Sequence, residues 1–93
     1  MDLQELRLKI DAIDDELINL FQQRMDISAE VARHKKLHSI PVHDPVREKE
    51  VLDCLSGKAK EEYRSYIIAL YKLLFELSRT EQERVHNNFQ EVL

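Results

Sequence analysis

Only one glycine, Gly57, and two prolines, Pro41 and Pro45, interrupt these 93 residues. Hairpins draw on glycine and proline for their turns, so this scarcity argues against a β-rich domain and for long helices. A lone glycine also leaves no material for a glycine-rich phosphate loop. One cysteine, Cys54, rules out an internal disulfide and fits a reducing compartment. It has no Cys/His catalytic context and is expected to pack as a small side chain. No apolar run approaches the roughly 18 residues of a membrane span, and no signal peptide is visible. The net charge is -4, which argues against a sequence-independent grip on nucleic acid. The expected setting is the cytoplasm, without membrane or nucleic acid as partner.

What the chain does contain is 43% hydrophobic and 34% charged residues, the balance of a globular protein. Ninety-three residues make one small domain, 1–93, near the lower limit for a self-sufficient core.

Three segments stand out. From about residue 2 to 37 an apolar seam steps by three and four through Leu3, Leu6, Ile10, Ile13, Leu17, Leu20, Ile27 and Val31. Asp2 followed three residues later by Glu5 is a capping-box-like start. A helix of this length is about 50 Å long, whereas a globule of this size has a radius of gyration of about 12 Å. It must bend or find a partner chain, and a partner is the better solution. After "HSIPVHDPVRE", Asp44 as N-cap and Pro45 as first helical residue open a short helix over about 45–55, which Gly57 is placed to end. A third segment, from about Lys60 to Gln90, carries the stripe Tyr63, Ile67, Leu70, Leu74, Leu77, Val85 and Phe89. The expected class is all-α, long–short–long.

Polar residues intrude on these stripes. Arg24 stands where the first seam calls for a leucine. At about 100° per residue, Arg24, Ser28, Val31 and Lys35 share a narrow arc. The two cations lie about 16 Å apart along the axis. Alone they would repel and be costly to desolvate, but an anion between them makes the arrangement sensible. The rival reading is that both snorkel to water from an apolar face. On the third segment Ser78 continues the Leu74 line and Gln82 follows one turn later. A polar residue in such a seam also serves to fix register. His34 and His38 are spaced i,i+4, but with His43 and His86 they supply no convincing metal set, so no metal site is expected.

Taken together, "LRLKIDAIDDELINLFQQR", "EVARHKK", "PVHDPVRE" and "SRTEQ" resemble the all-helical (type II) chorismate mutases over nearly the whole chain. The resemblance implies an intertwined homodimer whose long first helices cross, acting on chorismate and needing no cofactor. It implies a pocket of Arg24, Lys35, Asp44, Arg47, Glu48, Ser78 and Gln82, with Arg7 supplied by the partner subunit. Arg79, beside Ser78, departs from the pattern, because some relatives carry an apolar pocket residue there.

The implied reaction is the [3,3] rearrangement of chorismate to prephenate in aromatic amino-acid biosynthesis. It requires neither proton transfer nor a covalent intermediate, which suits a sequence without an evident nucleophile or metal site. Catalysis then rests on holding the dianion in a reactive conformer and stabilising charge on the departing ether oxygen. By resemblance, Arg24 and Arg7 clamp carboxylates. Lys35 bridges a carboxylate and the ether oxygen, and Gln82 donates to the same oxygen. Glu48, helped by backbone near Arg47, holds the ring hydroxyl, while Ser78 and Asp44 support orientation. The alternatives are an isochorismate–pyruvate lyase on the same scaffold and a non-catalytic helical dimerisation or regulatory module. The initial Met suits a free-standing enzyme, and a domain of a larger aromatic-pathway enzyme is the other possibility.

Overall fold

The computed structural model describes residues 2–89. Helix α1 spans Leu3–Leu37, α2 spans Pro45–Lys58, and α3 spans Arg64–Asn88, preceded by a 3-10 turn at Glu61–Tyr63. No strand occurs among the described residues. The third expected segment thus divides into a tight turn and a helix, and its expected end at Gln90 lies outside the described residues. None of the helices is long and apolar enough to cross a membrane.

The helix ends follow from local chemistry. Asp2 accepts a hydrogen bond from the Glu5 amide at 2.8 Å, satisfying one of the orphan N–H groups of the first turn. Asp44 does the same for α2, accepting from the Arg47 amide at 3.0 Å, with Pro45 at the first helical position. Helix α1 ends in a Schellman arrangement. The Ile40 amide reaches back to the Lys35 carbonyl at 2.8 Å, and the Ser39 amide to the Lys36 carbonyl at 3.4 Å. Ser39 takes the left-handed position, φ 53°, that glycine usually fills. The one glycine is used elsewhere and does not end α2 as the sequence suggested. Gly57 lies inside α2, which continues to Lys58 and is capped at Ala59. A Cβ at Gly57 would meet nothing within 4 Å, so close packing does not demand glycine there.

The helices make an elongated body, 61 × 26 × 15 Å, with a radius of gyration of 16.9 Å. That exceeds the globular expectation because α1 runs far past its neighbours. Every residue from Asp2 to Gln23 is exposed. The apolar seam of this half is bare, with Leu3 61%, Ile10 55%, Leu17 55% and Leu20 59% exposed. Only the C-terminal part of α1 packs on α3, where Ser28 and Ala32 are buried. Helix α2 lies against α3 as well.

The buried face of α3 keeps Val85 of the expected stripe and its two polar intruders, and adds Phe75. Phe75, Ser78, Gln82 and Val85 turn inward, at helical spacings of three and four. Tyr63, Leu70 and Leu77 remain exposed. The sequence therefore overlays two apolar faces on α3, and only one meets α1 within this chain. Cys54, expected to pack, is exposed instead.

Candidate functional site

Where α1, α2 and α3 meet, a cleft of about 530 Å³ opens, well inside the range of small-molecule sites. Helix α1 contributes Arg24, Ser28, Val31 and Lys35, the arc that the sequence predicts. Asp44, Arg47 and Glu48 come from the start of α2, and Phe75, Ser78, Arg79 and Gln82 from α3. Of the residues expected in the site, all but Arg7 are brought together. Arg7 is exposed on the unpacked half of α1 and does not line the cleft. Four cations and two carboxylates line the space, leaving an excess of two positive charges.

The hydrogen bonds within the site fix its donors. Ser28 Oγ donates to the Arg24 carbonyl at 3.0 Å, so its proton is committed to its own helix. In the 2.8 Å contact between Ser28 and Ser78, the Ser78 hydroxyl must then be the donor. Ser78 in turn accepts from Gln82 Nε2 at 3.0 Å. At the other end of the amide, Lys35 Nζ donates to Gln82 Oε1 at 2.9 Å. An ammonium has no acceptor and a committed hydroxyl has no spare proton, so the Gln82 amide has one consistent orientation. Ser28, Ser78 and Gln82 are 7%, 7% and 9% exposed, and this satisfied chain makes their burial affordable.

A proton inventory follows. The Lys35 ammonium has three N–H bonds, of which one goes to Gln82 and another to the Val42 carbonyl at 2.7 Å. The Gln82 amide has two N–H bonds, and Ser78 takes one. Among the described residues each side chain keeps one unused donor, and both line the same cleft. The Schellman turn at Ser39 matters here, since it reverses the chain so that Val42 can hold Lys35.

Arg24 is half-buried, its guanidinium 6.0 Å from the ring centroids of both Tyr71 and Phe75. No carboxylate pairs with it among the described residues. A fork of five N–H donors on an aromatic shelf, without a counter-ion, is suited to receive a carboxylate. Asp44 and Arg47 present themselves differently. The Asp44 carboxylate caps α2, while the Arg47 guanidinium lies 3.6 Å from Glu50 and is mostly exposed.

Sequence reasoning missed three participants. Tyr71 and Phe75 belong to the inward face of α3, which was hidden behind the more conspicuous leucines. The Val42 carbonyl is a backbone group and carries no sequence signal. Arg79 was noticed only as a departure, yet it holds both oxygens of Glu48 at 2.6 Å.

Comparison with known proteins shows what the chain is similar to. The family model described as chorismate mutase type II matches residues 6–83. A chorismate mutase of Methanocaldococcus jannaschii is 32% identical over 84 residues, covering 88% of this chain and 85% of the relative. The 4-amino-4-deoxychorismate mutase of Streptomyces venezuelae is 31% identical over 83 residues, covering 86% of this chain and 81% of the relative. The bifunctional chorismate mutase/prephenate dehydratase of Escherichia coli is 37% identical over 83 residues, but this chain spans only 22% of its length. Among solved structures, the chorismate mutase from Helicobacter pylori in complex with prephenate superposes with a TM-score of 0.85 at 31% identity, covering 95% of this chain and 97% of that one.

Proposed function

This chain belongs to the type II chorismate mutase family, and we propose that it rearranges chorismate to prephenate in a cleft completed by a second copy of itself. The observation that carries the reading is the pair of donors on Lys35 and Gln82 that are unused among the described residues, set beside the Arg24 guanidinium, which no carboxylate pairs among those residues. Arg24 takes one carboxylate of the dianion. Lys35 spans a carboxylate and the ether oxygen, and the spare N–H of Gln82 points to that same oxygen. As the C–O bond lengthens, negative charge grows on the oxygen, and two fixed donors meet it without reorganising. Arg24 and Lys35 hold the side chain over the ring, which lowers the entropic part of the barrier. Glu48 accepts from the ring hydroxyl. Ser78 holds the Gln82 amide, and Asp44 holds the start of α2 so that Glu48 and the backbone near Arg47 keep their places.

The dimer reading rests on the bare seam of α1. Leu3, Leu6, Ile10, Ile13, Leu17 and Leu20 form a continuous apolar stripe that the described residues leave exposed. Burying such a stripe favours association at roughly 25 cal/mol per Å² of apolar surface. The occupant is the same stripe of a second copy, with the two α1 helices crossing about a two-fold axis. One catalytic domain of 93 residues in the cytoplasm is the setting proposed, in keeping with a single thiol, Cys54.

The direct test is purified protein with chorismate. Loss of chorismate absorbance with prephenate identified as product is the expected result. Isochorismate is the control, and release of pyruvate from it without turnover of chorismate would replace the mutase reading by a lyase.

A sharper test concerns Gln82. In Gln82→Glu the carboxylate has no proton to offer and repels the developing charge, whereas the protonated acid can donate. The rate should rise as pH falls through the pKa of the substituted carboxyl, while the parent stays comparatively flat. Lys35, which donates to this position, favours the ionised form, so the rise belongs at the acid end of the profile. A variant whose rate ignores pH would mean that position 82 does not face the reacting oxygen.

A further inference from the structure

Both oxygens of Glu48 lie 2.6 Å from Nη1 of Arg79, joining the first turn of α2 to α3 across the cleft. The two side chains are 24% and 31% exposed, so the pair is partly shielded from water. Among the described residues His43 also faces this carboxylate, with Nε2 at 4.0 Å and a largely exposed ring. Without Arg79, Glu48 would set a bare negative charge inside a site that must receive a dianion. With Arg79, the pair is close to neutral. An ionised carboxylate offers about four lone-pair positions, and Arg79 occupies one on each oxygen. Acceptor capacity remains, while the charge is balanced.

Different ligands feel this differently. A neutral hydroxyl needs only an acceptor and still finds one. A protonated amine in the same ring position gains most from an unpaired carboxylate. Here it would meet one already balanced, with a guanidinium next to it. We propose that Arg79 determines specificity: by pairing with Glu48 it makes the cleft select a neutral hydroxyl over a cationic amine at that position of the ring. The inference rests on the proposed mutase reading and on its assignment of Glu48 to the ring hydroxyl. It supplies a role for the residue at which this sequence departs from the family pattern. The amine-bearing counterpart of chorismate is 4-amino-4-deoxychorismate, the compound in the name of the Streptomyces relative.

The test is kcat/KM for both compounds in the parent protein, Arg79→Met, Arg79→Lys and Glu48→Gln. The parent should prefer chorismate. In Arg79→Met the ratio should move toward the amino compound by at least tenfold, because Glu48 is left to pair the ammonium directly. Arg79→Lys, which keeps the positive charge, should stay within about threefold of the parent. Glu48→Gln should move the ratio the opposite way, since Arg79 then stands uncompensated against the amine. That opposite shift keeps the idea testable should Arg79→Met fail to fold. A ratio unmoved within twofold in Arg79→Met, or moved equally in Arg79→Lys, overturns the charge-balancing role. So does a Glu48→Gln ratio that moves toward the amine. A parent protein that converts no chorismate would instead overturn the mutase reading, and this inference with it.

Discussion

Replacing Lys35 by alanine should lower kcat/KM for chorismate at least 100-fold, about 2.7 kcal/mol in the barrier. Arg24→Ala should do the same. Lys35 carries the ammonium that donates to Gln82, and its removal strips a charge and a donor from one point. It also leaves the Oε1 end of the Gln82 amide without that partner, so that Ser78 alone holds the amide. The loss should therefore fall largely on kcat, because the donors are needed most when the ether oxygen becomes charged. Arg24 stands on an aromatic shelf with no counter-ion among the described residues, and its removal should appear more in KM. Helical circular dichroism should stay near that of the parent in both variants, since the helix caps and the buried Ala32, Phe75 and Val85 are untouched. Near-normal turnover in either would return the two cations to the snorkelling role that long side chains so often play.

These two residues also show how far the sequence could be read. A 3.6-residue period places Arg24, Ser28, Val31 and Lys35 on one arc, and the folded chain has all four lining the cleft. Helix periodicity is a rigid rule, so an arc on one helix is legible before any tertiary structure is known. Caps were legible for the same reason. Asp2 and Asp44 act on amides three residues away, and the information is local. The end of α2 was not, because glycine stops a helix only when the following contacts favour stopping, and Gly57 has open space around it. Helix α3 was legible only in part: Ser78, Gln82 and Val85 were expected on its stripe, and Phe75 was not. It carries apolar residues on two faces, and periodicity alone does not say which face meets α1. Burial resolves this in favour of Phe75, Ser78, Gln82 and Val85. The link between Arg79 and Glu48 joins residues 31 positions apart, and no local rule connects them.

Arg7→Ala and Lys35→Ala, each nearly inactive alone, should regain activity when unfolded and refolded together. Arg7 lies seventeen residues before Arg24, so their Cα atoms are about 26 Å apart along α1. It also points about 100° away from the Arg24 face. In the folded chain Arg7 is exposed and outside the cleft lined by Arg24 and Lys35. A carboxylate held by Arg24 is thus beyond reach of Arg7 in the same chain. Crossing of two α1 helices about a two-fold axis brings the N-terminal half of one toward the cleft of the other. Each site would then use Lys35 from one subunit and Arg7 from its partner. A mixed dimer holds one site with both lesions and one with neither. Random pairing of equal amounts makes half the dimers mixed, so roughly 25% of all sites should be restored. If Arg7 served its own chain, each site would keep one lesion and mixing would restore nothing. Mass spectrometry of the intact dimers would verify exchange. Activity that stays near zero in verified mixed dimers would remove Arg7 from the partner's site, and the proposed sharing of sites with it.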